Sequence, residues 1–261
     1  MNIIVCLKQV PGITDVKIDP ETNTLRRQGI KSIVNPFDTY ALEEGVRLKE
    51  RFGGSVTALS MGPPQADEML REAISCGADE AILLSDRAFA GADTLATSYT
   101  LSQAVRKIGN YDLVICGRQT IDGDTGQVGP EMAEWLDVPF AAYVSSISEV
   151  DDCTMTVSRM VEEGHEVVEI PLPAIITVTK EINVPRLPSL RGISRAKKAE
   201  IQVWGAAELA LDEDMVGLSG SATAVIKVFF PQRVSDGEMI DGDPEQQADA
   251  LIEKLREAGI A

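Results

Sequence analysis

GRQTIDGDTGQVGPE, residues 117–131, follows the strand-like apolar run YDLVIC at 111–116 and leads into a helix-like stretch. A turn of this composition between a strand and a helix is where α/β proteins bind nucleotides. Gly123, Gly126 and Gly129 fall three apart, so the backbone can turn tightly and approach a ligand, and N–H groups at a helix N-terminus can cradle a pyrophosphate. Two readings of the spacing stand: a phosphate-binding loop, or a Gly- and Asp-rich connection without a ligand. The pattern is not G-x-G-x-x-G, and the chain contains no Walker sequence, so the two commonest nucleotide fingerprints lend no support.

Upstream of the loop, apolar runs at 3–7, 56–60, 81–84 and 113–116 alternate with segments of helical period, the pattern of a parallel sheet covered by helices. Asn35 and Pro36 read as the cap and first turn of a helix whose inner face carries Phe37, Ala41, Leu48 and Phe52. Ala66, Met69, Leu70, Ala73 and Ile74 form a second stripe, and Leu101, Ala104, Val105 and Ile108 a third. Gly53, Gly77 and Gly109 are placed to end these helices. Residues 1–140 thus predict an α/β fold, a Rossmann-like doubly wound and mainly parallel sheet, with the loop after Gly117 at a strand's carboxyl end.

Beyond residue 140 the stretches 141–150, 155–160, 167–170 and 174–178 read as sequential strands, which predicts antiparallel additions to the sheet. Pro185 and Pro188 deny 183–189 a helix and project it as a loop, and 193–198 restarts as a short basic helix. No period is visible from about 205 to 242. Residues 244–258 read as an amphipathic helix with Ala248, Leu251, Ile252 and Leu255 inward. The expected division is 1–200, including the segment 184–198, and 201–261 as an extended C-terminal arm. That arm either lies on another subunit or is a linker before a self-packed helix.

Composition narrows the function. With 24 Lys and Arg against 41 Asp and Glu, the 261-residue chain carries a formal charge of -17, which argues against sequence-independent nucleic acid binding and against anionic membranes. No apolar stretch approaches the ~20 residues of a membrane span, and no secretory signal is visible, so a cytoplasmic protein is expected. Four cysteines without a C-x-x-C pair argue against zinc and iron–sulfur sites and are expected to be buried, reduced core residues. A single histidine, His165, is expected at the surface, and no nucleophile triad can be assembled around it. Arg186, Arg191, Arg195, Lys197 and Lys198 cluster in an otherwise acidic chain and offer a local docking surface.

VSRMVEEGHEVVEIPLPAIITV at 157–178 and NVPRLPSLRGISRAKK at 183–198 resemble the signature region of the electron transfer flavoprotein beta subunit. The resemblance extends over nearly the whole chain, through LKQVPG at 7–12, SIVNPFDTYALEEGVRLKE at 32–50, MGPPQADEMLREAISCGADEAILL at 61–84 and the glycine loop. It implies a sheet of the adenine-nucleotide-binding type and a heterodimer with an alpha subunit. Carried over position by position, it implies a nucleotide pocket built from Cys6, from Asn35, Pro36, Phe37 and Asp38, and from Met61 and Gly62. The same pocket would take in the run Gly117, Arg118, Gln119, Thr120, Ile121, Asp122, Gly123, Asp124, Thr125, Gly126, Gln127 and Val128. Within it, Asp122 and Asp124 would contact ribose or fold the loop through Asx turns, and Thr125 and Gln127 would give neutral hydrogen bonds to phosphate. Arg118 is either a charge near a flavin ring or a surface ion-pair partner.

Of the family's two branches, the loop resembles the electron-bifurcating one, which implies FAD in this subunit; the other branch carries structural AMP. The bifurcating reading implies NADH as electron donor, with ferredoxin and a flavin-dependent dehydrogenase of the acyl-CoA dehydrogenase kind as acceptors. Pro185, Arg186, Pro188, Leu190, Arg191, Lys197 and Lys198 would recognise that dehydrogenase, Leu190 as the apolar anchor. No catalytic side chain and no metal are expected. A regulatory adenine-nucleotide-binding module would explain the sheet but not 185–198. An adenylating enzyme would need an S-G-G-x-D motif, which the chain lacks.

Overall fold

The computed structural model describes residues 1–12, 32–226 and 237–260. It divides into two compact units, Met1–Ile226 and Lys227–Ala261. Along the first run β1 (Asn2–Cys6), β2 (Gln9–Pro11), β3 (Ser32–Val34), α1 (Pro36–Phe52), β4 (Ser55–Met61), α2 (Asp67–Cys76), β5 (Glu80–Leu84), α3 (Thr94–Ile108), β6 (Leu113–Gly117) and α4 (Val128–Leu136). There follow β7 (Phe140–Val150), β8 (Thr154–Val161), β9 (Gly164–Pro171), β10 (Ala174–Val178), α5 (Leu190–Lys198), β11 (Gln202–Trp204) and α6 (Ala206–Leu209). The second unit contains α7 (Pro244–Glu257).

Nine strands form one sheet in the order β11-β5-β4-β1-β6-β10-β7-β8-β9. From β11 to β7 every pairing is parallel; β8 and β9 add antiparallel. The period of two sorts its side chains into two cores. Ile3, Val5 and Ile115 face α1, α2 and α5 with Leu42, Val46, Leu70 and Ala196. Ile4, Cys6, Val114 and Cys116 face α3, α4 and α6 with Leu101, Val105, Met132 and Leu209. Burial of both faces is why these strands read as unbroken apolar runs.

The doubly wound parallel sheet with antiparallel additions is as the sequence predicts, and Gly53, Gly77 and Gly109 sit at the C-caps of α1, α2 and α3. Ala174–Val178, read with the antiparallel additions, instead lies parallel in the middle of the sheet, between β6 and β7. Phe52 is 38% exposed and does not share the buried face of α1; the Arg51 guanidinium stacks over its ring at 4.7 Å. Of the cysteines, Cys6 and Cys116 are buried, Cys76 is half-buried and Cys153 is exposed. His165 lies exposed on β9.

The first compact unit does not end at residue 200. β11 pairs with β5, and Leu209 and Val216 are buried in the second core. Residues 227–236 of the expected arm lie outside the described residues. In α7, whose N-cap Asp243 accepts from the N–H of Glu245 and Gln246, Leu251 and Ile252 are 50% and 44% exposed. Among the described residues no helix is long and apolar enough to cross a membrane.

Candidate functional site

The sheet grows from β1 to β4 and β5 on one side, and from β1 to β6 on the other. The carboxyl ends of β1 and β6 therefore flank the topological switch point, where open α/β sheets hold ligands. Cys6, Gly117, the start of α1 and the loop 118–127 meet there, and Met61 and Gly62 end the neighbouring β4. The Gly62 N–H donates to Leu84 O at 3.0 Å. Cys6 and Cys116 are register partners, and the Cys6 thiol and burial together push the Cys116 thiol up.

Gly117 is required by close approach. A Cβ there would lie 2.3 Å from Asp38 Oδ1 and 2.7 Å from the Phe37 carbonyl carbon, so β6 ends directly against the first turn of α1. Asn35, expected to cap α1, makes no side-chain capping bond. Its amide instead donates to Gln119 O at 2.8 Å and Asp38 Oδ1 at 2.9 Å, while its oxygen accepts from the Ile121 N–H at 3.2 Å. Asp38 also accepts from the Lys8 N–H at 2.7 Å. Burial pushes the Asp38 carboxyl up to about 7, against the donors from Asn35 and Lys8 that favour its charge. Asn35 and Asp38 thus tie three segments together at the switch point.

Side chains from inside and outside the loop hold it. Asp122 pairs with Lys8 Nζ at 2.9 Å, and although burial raises its carboxyl, the lysine draws it below the usual range. Asp124 adopts φ 53°, donates its N–H to Thr120 O at 2.9 Å and accepts from the Gln119 amide. These contacts help hold the loop's shape. Gly126 has φ 63°, a conformation that a β-branched residue resists. Gly123 has no neighbour closer than 3.5 Å to an added Cβ. Gly129 has a packing role: its Cβ would lie 2.6 Å from Thr177 Cγ2, so α4 sits close on β10.

Gln127, the N-cap of α4, gives no side-chain cap; its Oε1 accepts from the Thr94 hydroxyl at 3.3 Å. Thr125 is exposed. Arg118 makes no ion pair among the described residues, and its guanidinium lies 4.8 Å from the centroid of the Tyr143 ring. Its Nε is buried without a partner, as is Glu131 Oε2 in the first turn of α4. Tyr143 has φ 57° and donates its N–H to Thr177 Oγ1 at 3.1 Å. Sequence reading missed Lys8 and Tyr143. A cation two residues beyond the first strand was a usable signal for Lys8; no local signal marks Tyr143.

The second group of expected residues lies at 184–198. Val184, Leu187 and Leu190 are 79%, 87% and 88% exposed. α5 begins at Leu190, three residues before the expected start, because Ser189 Oγ caps it by accepting from the Gly192 N–H at 2.9 Å. Leu190 therefore stands on a helix's first turn rather than in the loop. Pro185 is half-buried and Pro188 exposed. Arg186 is turned inward, paired with Glu43 at 2.8 Å and Glu50 at 2.6 Å. Arg191, Lys197 and Lys198 are exposed and make no ion pair among the described residues. Arg195 and Arg71 fasten α5 to α2: Arg195 donates to Ile74 O and Ala78 O, and Arg71 to Ala196 O and Ala199 O.

Residues 22–209 match the electron transfer flavoprotein domain family. The electron transfer flavoprotein subunit beta of Thermoanaerobacterium thermosaccharolyticum is 49% identical over 256 residues, 98% of each chain. The chain belongs to the electron transfer flavoprotein beta-subunit family. Two further family relatives carry other names. The caffeyl-CoA reductase-Etf complex subunit CarD of Acetobacterium woodii is 47% identical over the full length of both chains. Protein FixA of Azotobacter vinelandii is 47% identical over 98% of this chain and 94% of its own. Membership places the chain among electron-transport flavoproteins.

Proposed function

We propose that this electron transfer flavoprotein beta subunit pairs with an alpha subunit and holds FAD at the switch point between β1 and β6. The observation that carries the reading is the edge around Arg118. Its buried Nε lacks a partner, the first turn of α4 has no side-chain cap, and Gly126 bends the intervening backbone with φ 63°. Unpaired N–H groups at a helix N-terminus suit a pyrophosphate, and a guanidinium backed by an aromatic ring suits a planar, electron-accepting group. FAD fits this donor set.

In that role α4 would receive the phosphates, and Asn35 would hold the loop in its receiving shape. Lys8 neutralises Asp122 and so offsets one of the loop's two acids toward an anionic ligand. Arg118 would place positive charge beside the ring. When bound, FAD would supply the redox chemistry, hydride acceptance from NADH and one-electron transfer toward ferredoxin and, by way of the alpha subunit, a partner dehydrogenase. The chain's own groups need move no proton, which agrees with its single exposed histidine. The dehydrogenase would dock on 184–198, a patch of exposed leucines among cations, and α7 would lay its exposed apolar face on the alpha subunit. The CarD relative, named for its place in a reductase–Etf complex, supports assembly with a flavin-dependent reductase or dehydrogenase.

The test is stoichiometric: flavin and nucleotide are extracted from the purified heterodimer and counted. Two FAD per heterodimer are expected; one FAD with one AMP would overturn bifurcation and leave family membership untouched.

A further inference from the structure

Glu43 and Glu44 are consecutive carboxylates on α1, and both are buried, at 5% and 8% exposure. Buried carboxylates need partners, and here the partners come from one short segment. Asn183 donates to Glu44 Oε2 at 2.9 Å and to Tyr40 O at 3.0 Å. Arg186 donates its N–H and its Nε to Glu43 Oε2 at 3.0 and 2.8 Å, and a terminal nitrogen to Glu43 Oε1 at 3.2 Å. Glu50, about two turns further along α1, receives the outer edge of the same guanidinium at 2.6 and 3.0 Å. Arg47 Nε completes Glu43 at 2.7 Å. Burial alone would raise the Glu43 carboxyl, but the two arginines outweigh it and hold it below the usual range.

The grip falls on residues 183 and 186, and the exposed Leu187 and Leu190 follow immediately. The segment is fixed at 183 and 186 and again where α5 is fastened to α2, so Leu187 and Leu190 are held exposed between two anchored points. We infer that Glu43 and Arg186 are positioning residues for docking: neither faces the partner, and together they preset the pose in which the leucines are offered. This rests on reading 184–198 as the docking segment. Presetting matters because a segment ordered before contact loses less conformational freedom on binding. Arg186 is thereby removed from the steering cations, a task left to Arg191, Lys197 and Lys198.

The test uses the intact heterodimer and, as probe, a purified acyl-CoA dehydrogenase that it reduces. Glu43→Gln, and Arg186→Gln should Glu43→Gln fold poorly, are each made alone and with Leu190→Ala. Expected is docking weakened on the order of tenfold by either single change, little further loss on top of Leu190→Ala, and amide exchange across 184–190 faster than in the wild type while 113–117 is unchanged. Docking at wild-type strength, or full additivity with Leu190→Ala, would overturn the positioning role. If Leu190→Ala itself leaves docking unchanged, the docking reading falls instead. Faster exchange at 184–190 in Glu43→Gln would then show a clamp with no docking role.

Discussion

The loop 117–128 depends on close backbone approach and a positive-φ turn as well as on the side chains of Asn35, Lys8 and Gln119, whereas 183–198 is fastened chiefly by arginines. At the first, Gly117 lies against the α1 backbone and Gly126 turns at φ 63°; at the second, Arg186 reaches carboxylates on α1, Arg195 reaches the Ile74 carbonyl on α2, and Arg71 of α2 reaches back to the Ala196 carbonyl on α5. Both regions are fastened to α1, the loop through the helix N-cap Asn35 and segment 183–198 through Tyr40, Glu43, Glu44 and Glu50. Adding atoms should therefore harm the crevice, and removing charge should harm the docking segment. A ligand that must meet many N–H groups calls for exposed backbone. A partner protein calls for projecting side chains on a base that stays put.

The largest contrast is expected from Asp38. Its folded-state value of about 7 stands above the ordinary 3.8, so the folded protein holds a proton there that the unfolded chain releases. That contribution is fully present below about pH 3.8 and is lost as the pH rises through about 7, in all on the order of 4 kcal/mol. Lys8, Asp122 and the Cys6 and Cys116 thiols face the same region. Glu43 at the docking end has the opposite sign: held low by its arginines, it contributes above the ordinary 4.5 and loses that contribution as the pH falls. Urea unfolding of wild type and Asp38→Asn from about pH 5 to about pH 8 checks the sign. Relative to the variant, wild type should lose stability up to about pH 7 and then level off; a constant difference would refute the titration.

Gly117→Ala should come next. The added methyl meets the Phe37 carbonyl carbon at 2.7 Å and Asp38 N at 2.9 Å, backbone atoms that cannot swing aside. A cost of about 3 kcal/mol is expected, together with loss of beta-site flavin. Thermal unfolding and flavin extraction read the two effects, and a variant as stable as wild type would show that β6 can withdraw from α1.

How far these features were legible in the sequence follows from the range of the contacts. The parallel strands of 1–140 are short unbroken apolar runs, the helices between them carry a period of 3.6, and the loop's glycines mark its turn, so all three could be read directly. The place of β10 could not, because a strand buried on both faces has the same composition wherever it pairs. Segment 201–226 stayed unreadable because its attachment rests on a three-residue edge strand, scattered apolar side chains such as Leu209 and Val216, and long-range hydrogen bonds such as those of Ser221 and Thr223 with Asp93, none of which has a local period. Asn35 misled for a physical reason: a helix-preceding Asn before Pro has the chemistry of a cap, yet its amide is used by residues 119 and 121. Lys8 with Asp122, and Glu43 with Arg186, are partners across 114 and 143 residues, a distance at which no local pattern reports a pairing.

Gly126→Val tests the loop without disturbing the sheet. An added Cβ meets only Arg118 O, at 3.4 Å, so the penalty comes from holding a β-branched residue at φ 63°, roughly 2–3 kcal/mol if the turn is kept. The chain should relax the turn instead and lose flavin while the fold survives. Gly123→Ala, whose Cβ would meet only the Thr120 hydroxyl in ordinary contact at 3.5 Å, is the matched control. Equal flavin retention in Gly126→Val and wild type would move the phosphates elsewhere on the edge.

The smallest effect on the chain itself is expected from Leu190→Ala, and that is what makes it informative. At 88% exposure the side chain contributes almost nothing to folding, so unfolding temperature and flavin content should not change. Once seated in a partner's pocket the same leucine becomes a buried one, and its truncation is expected to cost about 2 kcal/mol of docking, roughly a thirtyfold weaker complex. Lys197→Glu added to it should slow association further and reduce its salt dependence, because Lys197 is exposed and unpaired among the described residues and acts at a distance. Stopped-flow bleaching of the flavin by NADH, set beside dehydrogenase-linked turnover at limiting dehydrogenase, separates the crevice from the docking segment. Unchanged turnover there would mean that the exposed leucines of 184–190 serve some other contact, and that the two ends of α1 do not divide cofactor binding from docking.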